Sequence, residues 1–153
     1  MSQLVATDAT DRAIIRALQR DGRVSYADLA LSVGLSPPAV RQRMQRLTDS
    51  GVLQVVAVTD PLKLGLPVMA MVGIVVDGNI KSVADRLGAV DQVVYVVSTA
   101  GSFDLFVEVV CPDMAALFTV VNEQLKSIEG VRATESFVYF DIHTRRFSRD
   151  VPA

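Results

Sequence analysis

Between Ser25 and Gly51 the apolar positions fall at helical spacing twice, with a break between the two runs. Leu29, Ala30 and Val33 form one short stripe; Val40, Met44 and Leu47 form a second at i, i+4 and i+7. Polar residues mark the ends. Ser25 stands at an N-cap, with Asp28 as the acidic partner of a capping box. Gly34 supplies a left-handed residue to end the first helix. Ser36 caps the second, Pro37 takes its first position, where a missing N–H costs nothing, and Gly51 closes it. Ala30, four residues before Gly34, leaves room for two helices to cross, and Val40 packs back under the turn. This is the sequence form of a helix-turn-helix. An ordinary αα-hairpin with a solvated polar face shares the periodicity, and these residues alone leave it open.

The flanking pattern adds to both ends. Asp8-Ala-Thr-Asp11 opens an earlier helix, acidic at its positive end, with Ile14, Ile15 and Leu18 as its stripe. Asp21-Gly22-Arg23 ends it, and the helix supplies a third wall around Leu29, Val40 and Leu47. After Gly51, residues 52–60 (VLQVVAVTD) are apolar and β-branched at nearly every other position, which predicts a strand, the wing of a winged helix-turn-helix. Asp60-Pro61 breaks it.

From Leu66 onward the period changes. Strands are predicted over Leu66–Val76, Gln92–Thr99, Phe103–Val110 and Val131–His143. Helices fall between them, one marked by Ile80, Val83, Ala84 and Leu87, the other opening at Pro112-Asp113 with Ala116, Leu117, Val120, Val121, Leu125 and Ile128 toward the core. The order βαββαβ is that of a ferredoxin-like sheet with both helices on one face. An internal repeat supports it: LGAVDQV at 87–93 and LKSIEGV at 125–131 place Leu, an apolar residue, an acid and Val at matching positions, at the helix exit of each half. The helix-free face would carry VMAMVGIVV (68–76) and VVYVVST (93–99), too apolar for open water, so two sheets are expected to pack face to face in a homodimer. The chain thus reads as α+β, with a winged helix-turn-helix domain at 1–60, a hinge at 61–66, a ferredoxin-like domain at 67–145 and a tail at 146–153.

Composition adjusts this picture in three places. Half of the 153 residues are hydrophobic and about a fifth are charged, as for a globular chain with buried subunit surface. No apolar run is long enough to span a membrane and the first twenty residues hold Asp8, Asp11, Arg12 and Arg16, so a cytoplasmic protein without a signal peptide is expected. The single cysteine, Cys111, excludes an internal disulfide and fits a reducing compartment. The net charge of −2 conceals an asymmetry: residues 1–58 carry seven arginines and five aspartates, whereas residues 59–153 carry eight basic and twelve acidic residues. Basic character therefore gathers around the helix pair. There the outward face of the second helix offers Pro38, Arg41, Gln42, Gln45 and Arg46, with Ala39 beside them, side chains suited to base edges and phosphates. Ser36 and the helix N-terminus would meet phosphate, and Arg43 either braces the domain or joins a phosphate.

Taken together, these segments resemble the Lrp/AsnC (feast/famine) family of transcriptional regulators. The resemblance rests on Asp8-x-x-Asp11-x-x-Ile14-Ile15-x-x-Leu18, Asp21-Gly22-Arg23, Leu29-Ala30-x-x-Val33-Gly34-Leu35-Ser36, Val40-x-x-Arg43-x-x-Leu47-x-x-x-Gly51-Val52 and Asp60-Pro61-x-x-Leu64-Gly65. In the second domain it rests on Gly101-Ser102-Phe103-Asp104 and Glu129-Gly130-Val131. It implies a DNA-binding domain joined to an effector (RAM) domain, dimers that assemble to tetramers, octamers or higher forms on double-stranded DNA, and a small effector, usually an amino acid, in a cytoplasmic, nucleoid-associated bacterial or archaeal protein. By position it assigns the effector to Gly101, Ser102 and Asp104, with Thr99 and Ala100 before them. A Gly turn exposes N–H groups to a carboxylate and Asp104 can hold an ammonium group; the competing role for Asp104 is to cap its own turn. Thr134 and Ser136 on the last strand either line a pocket or face solvent.

No reactive constellation supports an enzyme. His143 stands alone at a strand end, Cys111 precedes Pro112 as a small buried residue would, and no metal-ligand cluster, phosphate loop or paired carboxylate is present, so neither a cofactor nor a metal is expected. Two alternatives remain: a nucleoid-organising protein of low sequence specificity, and a ligand-sensing assembly module that binds no DNA.

Overall fold

The computed structural model describes residues 5–144. They divide into two compact units, one ending at Val58 and the other running from Thr59 to His143. In the first, three helices, α1 (Ala9–Arg20), α2 (Tyr26–Val33) and α3 (Pro37–Asp49), enclose a core of Ile14, Ile15, Leu29, Ala30, Val40, Met44, Leu47 and Leu53. The caps fall where the side chains allow. Asp8 and Asp11 form a full reciprocal capping box at the start of α1. The Ser25 hydroxyl accepts from the Asp28 N–H at 3.1 Å and donates to its carboxylate at 2.7 Å. Gly34 turns the chain with φ +68°, and Ala30 and Val40 are buried on either side of it, so the helix-turn-helix is formed. One cap differs from expectation: Ser36 occupies the N-cap position of α3, but its hydroxyl makes no capping bond.

The predicted wing is not formed. Residues 52–60 are in no strand, and Val55, Val56 and Val58 are exposed. β-branched alternation favours an extended backbone, but a strand also needs a partner edge, and this unit of helices supplies none. Leu53 alone of the run is buried, in the helical core.

In the second unit a 3₁₀ turn (Pro61–Leu64) leads to β1 (Val68–Val76), α4 (Ile80–Leu87), β2 (Val93–Ser98), β3 (Leu105–Cys111), α5 (Met114–Thr119) and β4 (Val131–Val138). The antiparallel sheet has the order β2-β3-β1-β4, with β1 paired to both β3 and β4, which is the ferredoxin-like arrangement. Ala70, Val72 and Ile74 of β1 and Leu105, Val107, Val109 and Cys111 of β3 bury one face against Val83, Leu87, Leu117, Val120, Val121 and Leu125 from the helices. Beyond Thr119 the helix widens into a π turn over Val120–Leu125, which the apolar period does not reveal. The strand ends are shorter than predicted at Leu66, Phe103 and His143, since pairing stops where partner residues stop.

The repeat has a structural counterpart. After α4 the Val90 N–H donates to Leu87 O at 3.1 Å and the Val93 N–H to Val90 O at 2.9 Å. After the π turn the Ile128 N–H donates to Leu125 O at 3.3 Å and the Val131 N–H to Ile128 O at 3.0 Å. Both junctions use the same two turn bonds to deliver an edge strand of the sheet.

Candidate nucleic-acid interface and effector turn

On α3, Pro38, Arg41, Gln42, Gln45, Arg46, Asp49 and Ser50 line one shallow groove. The helical period places these residues opposite the buried stripe of Val40, Met44 and Leu47. Pro38, Arg41 and Gln42 are exposed, and Arg41 and Gln42 have no partner among the described residues. Ala39 is half-buried. Gln45 is exposed but its amide donates to Asp49 Oδ1 at 2.7 Å.

The other two arginines turn toward α1. Arg43 Nη1 donates to Asp8 Oδ2 at 2.6 Å and to Asp11 Oδ1 at 2.8 Å. Arg46 Nη2 donates to Asp11 Oδ2. The Asp11 side chain is wholly buried, while those of Arg43 and Arg46 are 30% and 51% exposed. Asp11 also accepts from the Asp8 N–H at 3.1 Å, and Asp8 Oδ1 accepts from the Asp11 N–H at 2.7 Å. The N-terminal cap of α1 is therefore also the anchor of α3. Burial pushes the Asp11 carboxyl up, but the hydrogen bonds from Arg46, Arg43 and the Asp8 backbone outweigh it and hold the group below the usual aspartate range. The Asp8 carboxyl is held low by the Asp11 N–H first and by Arg43 second. Sequence reasoning allows a bracing role for Arg43, gives Arg46 wholly to DNA, and misses the two aspartates as their partners. The signal in the sequence is the doubled acid at one helix start set against Arg43 and Arg46 on a single helix face.

In the second unit, Thr99, Ala100, Gly101 and Ser102 are exposed in the turn between β2 and β3, with Phe103 and Asp104 half-buried. The turn is clamped at its base. Thr99 N–H donates to Asp104 O at 2.9 Å, Thr99 Oγ1 donates to Phe103 O at 2.7 Å, and Asp104 N–H donates to Ile74 O at 2.9 Å. The Asp104 carboxylate does not cap its own turn: Oδ2 accepts from the Val76 N–H at 2.8 Å, at the bulge between Val75 and Val76 of β1. The N–H groups of Ala100, Gly101 and Ser102, and the second carboxylate oxygen of Asp104, have no partner among the described residues.

Phe103 anchors the same turn to the helix-free face of the sheet. Its ring covers Gly73 so closely that a Cβ there would lie 2.7 Å from it. It also meets Phe106 and Phe137 edge-on, with centroids 5.3 and 6.2 Å away. Around this aromatic cluster, the register brings Tyr95, Met71, Glu108 and Phe137 onto one face. The Tyr139 hydroxyl bonds to Glu108 Oε1 at 3.0 Å. Tyr95 and Phe137 remain 53% and 44% exposed, a large apolar surface for one chain. Thr134 and Ser136 pair with Ile74 and Val72 on the helix side of the edge strand β4, the first half-buried and the second exposed.

Cys111 is fully buried in the sheet core, and burial first, then Asp113, pushes its thiol up, away from the nucleophilic thiolate. His143 is exposed, 3.5 Å from Asp141. Among the described residues no group of His, Cys, Asp and Glu is arranged to hold a metal ion, and no helix is long and apolar enough to cross a membrane.

A helix-turn-helix with a polar outer face, joined to a ferredoxin-like sheet domain with an open, clamped turn, defines a two-domain transcriptional regulator with a ligand-binding half. Residues 8–48 match the AsnC-type helix-turn-helix domain and residues 69–148 match the Lrp/AsnC ligand binding domain. The chain belongs to the Lrp/AsnC family of transcriptional regulators. It is 29% identical over 150 residues to an uncharacterised helix-turn-helix transcriptional regulator of Pyrococcus horikoshii, covering 97% of this chain and 95% of that one. Among solved structures, the Mycobacterium tuberculosis leucine response regulatory protein superposes with a TM-score of 0.82 at 29% identity, over 96% of this chain and 99% of that one. A Neisseria meningitidis transcriptional regulator, solved as a complex with L-Met, shares the fold with a TM-score of 0.79 at 24% identity, over 96% and 97% of the two chains.

Proposed function

We infer that this regulator binds duplex DNA through α3, as a homodimer joined across the helix-free sheet faces, and that an amino acid held at the Thr99–Asp104 turn controls its assembly or its affinity for DNA. The observation that carries the DNA reading is the division of labour on α3: one face is packed, and the opposite groove presents Arg41 and Gln42, unpaired among the described residues. Those two side chains suit guanine and adenine edges in the major groove. The free N–H groups at Ala100–Ser102 suit a carboxylate, and the open oxygen of Asp104 an ammonium group, which together describe an α-amino acid. Thr99 contributes by holding the turn, since its hydroxyl is already bonded to Phe103 O. Two paired domains would present two copies of α3 to a palindromic site. A cytoplasmic, nucleoid-associated setting and growth of the dimer to tetramers or octamers belong to the same reading.

The specific reading is preferred to a purely phosphate-driven, nucleoid-organising one. Of the three arginines on α3, only Arg41 has no carboxylate partner among the described residues, so the groove carries little uncompensated charge. Duplex selection from a randomised pool tests this directly: the protein should enrich a palindromic sequence, and recovery of an unenriched pool would refute it. Arg41→Ala should weaken binding to the enriched duplex by about 1–3 kcal/mol if the side chain reads a base. A thermal-shift screen of the twenty amino acids tests the effector: a ligand at about 100 times its dissociation constant raises stability by about 2.7 kcal/mol.

A further inference from the structure

Arg46 lines the groove assigned to DNA, yet one of its nitrogens is bound to a carboxylate buried beneath the helix. Arg43 is tied to the same carboxylate and to Asp8. Asp11 has no solvent exposure, and it reaches both arginines with different oxygens while accepting a backbone N–H as well. A guanidinium held at one nitrogen keeps its remaining donors aimed in one direction, so less rotamer freedom is lost when it meets a second acceptor. The buried anion also cancels positive charge that would otherwise attract any phosphate. Both effects act on the ratio of specific to non-specific binding rather than on affinity alone.

We propose that Asp11 is a specificity-determining positioning residue of the DNA interface, holding Arg46 as a preformed donor while subtracting one unit of the positive charge that Arg43 and Arg46 would otherwise offer to phosphate in any sequence. Asp11 acts through the arginines and does not itself touch DNA. The inference rests on the reading that α3 meets the duplex, so its test must separate the two.

The probes are the duplex enriched by the wild-type chain and a scrambled duplex of the same composition, each titrated over a range of salt. Asp11→Asn retains an acceptor but removes the charge. It should bind the scrambled duplex more tightly, steepen the slope of log K against log salt by about one for the single negative charge removed, and lower the specificity ratio about tenfold. Asp8→Asn guards against misfolding, because Asn is as good an N-cap as Asp; it should steepen the slope by a smaller amount through Arg43 alone. Arg46→Lys keeps the charge and loses the planar fork, so the ratio should fall with the slope unchanged. A folded Asp11→Asn with the wild-type slope and ratio overturns the proposal, as does an Asp8→Asn slope equal to wild type together with an unchanged ratio in Arg46→Lys. If the wild-type chain enriches no duplex, it is the DNA reading that fails.

Discussion

Asp11 in the helical domain and Asp104 in the sheet domain both join elements distant in sequence, but they do so with different partners. Asp11 is buried and neutralised by two arginine side chains from α3. Asp104 is half-buried, and its carboxylate takes a single backbone N–H from a strand bulge, leaving one oxygen open. The first site is saturated, and its charge is consumed in holding a helix. The second is incomplete, and its remaining capacity lies beside exposed N–H groups. A carboxylate with all its bonds made inside the fold is a brace; one with bonds left over is where a ligand can enter.

The surroundings sharpen the contrast. Around Asp11 the packing tolerates polar chemistry because the arginine stems and the α1 cap share it. Around Asp104 the neighbouring contact is a ring on a glycine, with no slack. Gly73→Ala should therefore have the largest effect on stability, about 2–3 kcal/mol in urea denaturation, since its new Cβ meets the Phe103 ring at 2.7 Å. Combining it with Phe103→Leu should restore part of the loss, and a strictly additive double variant would show that the two do not touch.

Asp11→Ala comes next, at about 2 kcal/mol, because it removes charge-assisted bonds yet leaves the arginines room to reach water. The same pair predicts the acid limb. Asp8 and Asp11 both titrate below the usual range, so the stability they add is complete above about pH 5 and is lost as pH falls through about 3.9 toward their lowered folded values. Asp11→Asn should flatten that limb, and an unchanged acid transition would break the assignment.

Asp104→Ala should cost about 1 kcal/mol, one neutral N–H partner at a half-buried bulge, and should abolish any amino-acid response while leaving the oligomeric state as it is in the unsubstituted chain. A loss as large as that of Asp11→Ala would erase the distinction between brace and open site. Smallest of all, Gly101→Ala should change stability by less than about 0.5 kcal/mol, because a Cβ there meets nothing within 4 Å and its φ is not positive. Any effect of that change on ligand response would then report on the turn itself.

Local features are the readable ones. Gly34, the acidic helix start at Asp8 and the Ser25 cap follow from residues within a turn or two of each other, and the repeat at Leu87 and Leu125 places both helix exits correctly. Features set by distant partners are hidden. Arg46 looks solvent-facing on α3 because its carboxylate lies 35 residues earlier. Phe103 shows no sign in sequence that it covers Gly73, and Asp104 none that it serves Val76. The wing fails for a related reason: alternation in residues 52–60 describes a strand's preference, whereas a strand exists only where another edge receives it. The π turn at Val120 has apolar residues on its inner side just as an α-helix would, so the pattern does not distinguish them.

The pairing of β1 with β4 carries a consequence for how the chain is made. The core of the helical domain is complete once Leu53 has been added, so that domain can fold as soon as it leaves the ribosome. The sheet domain has to wait for its last strand, and until Val138 has been synthesised β1 keeps an apolar edge unpaired. A nascent chain therefore carries a finished reading head before it has a sensor, and the aggregation-prone interval in its biogenesis belongs to the sensor alone.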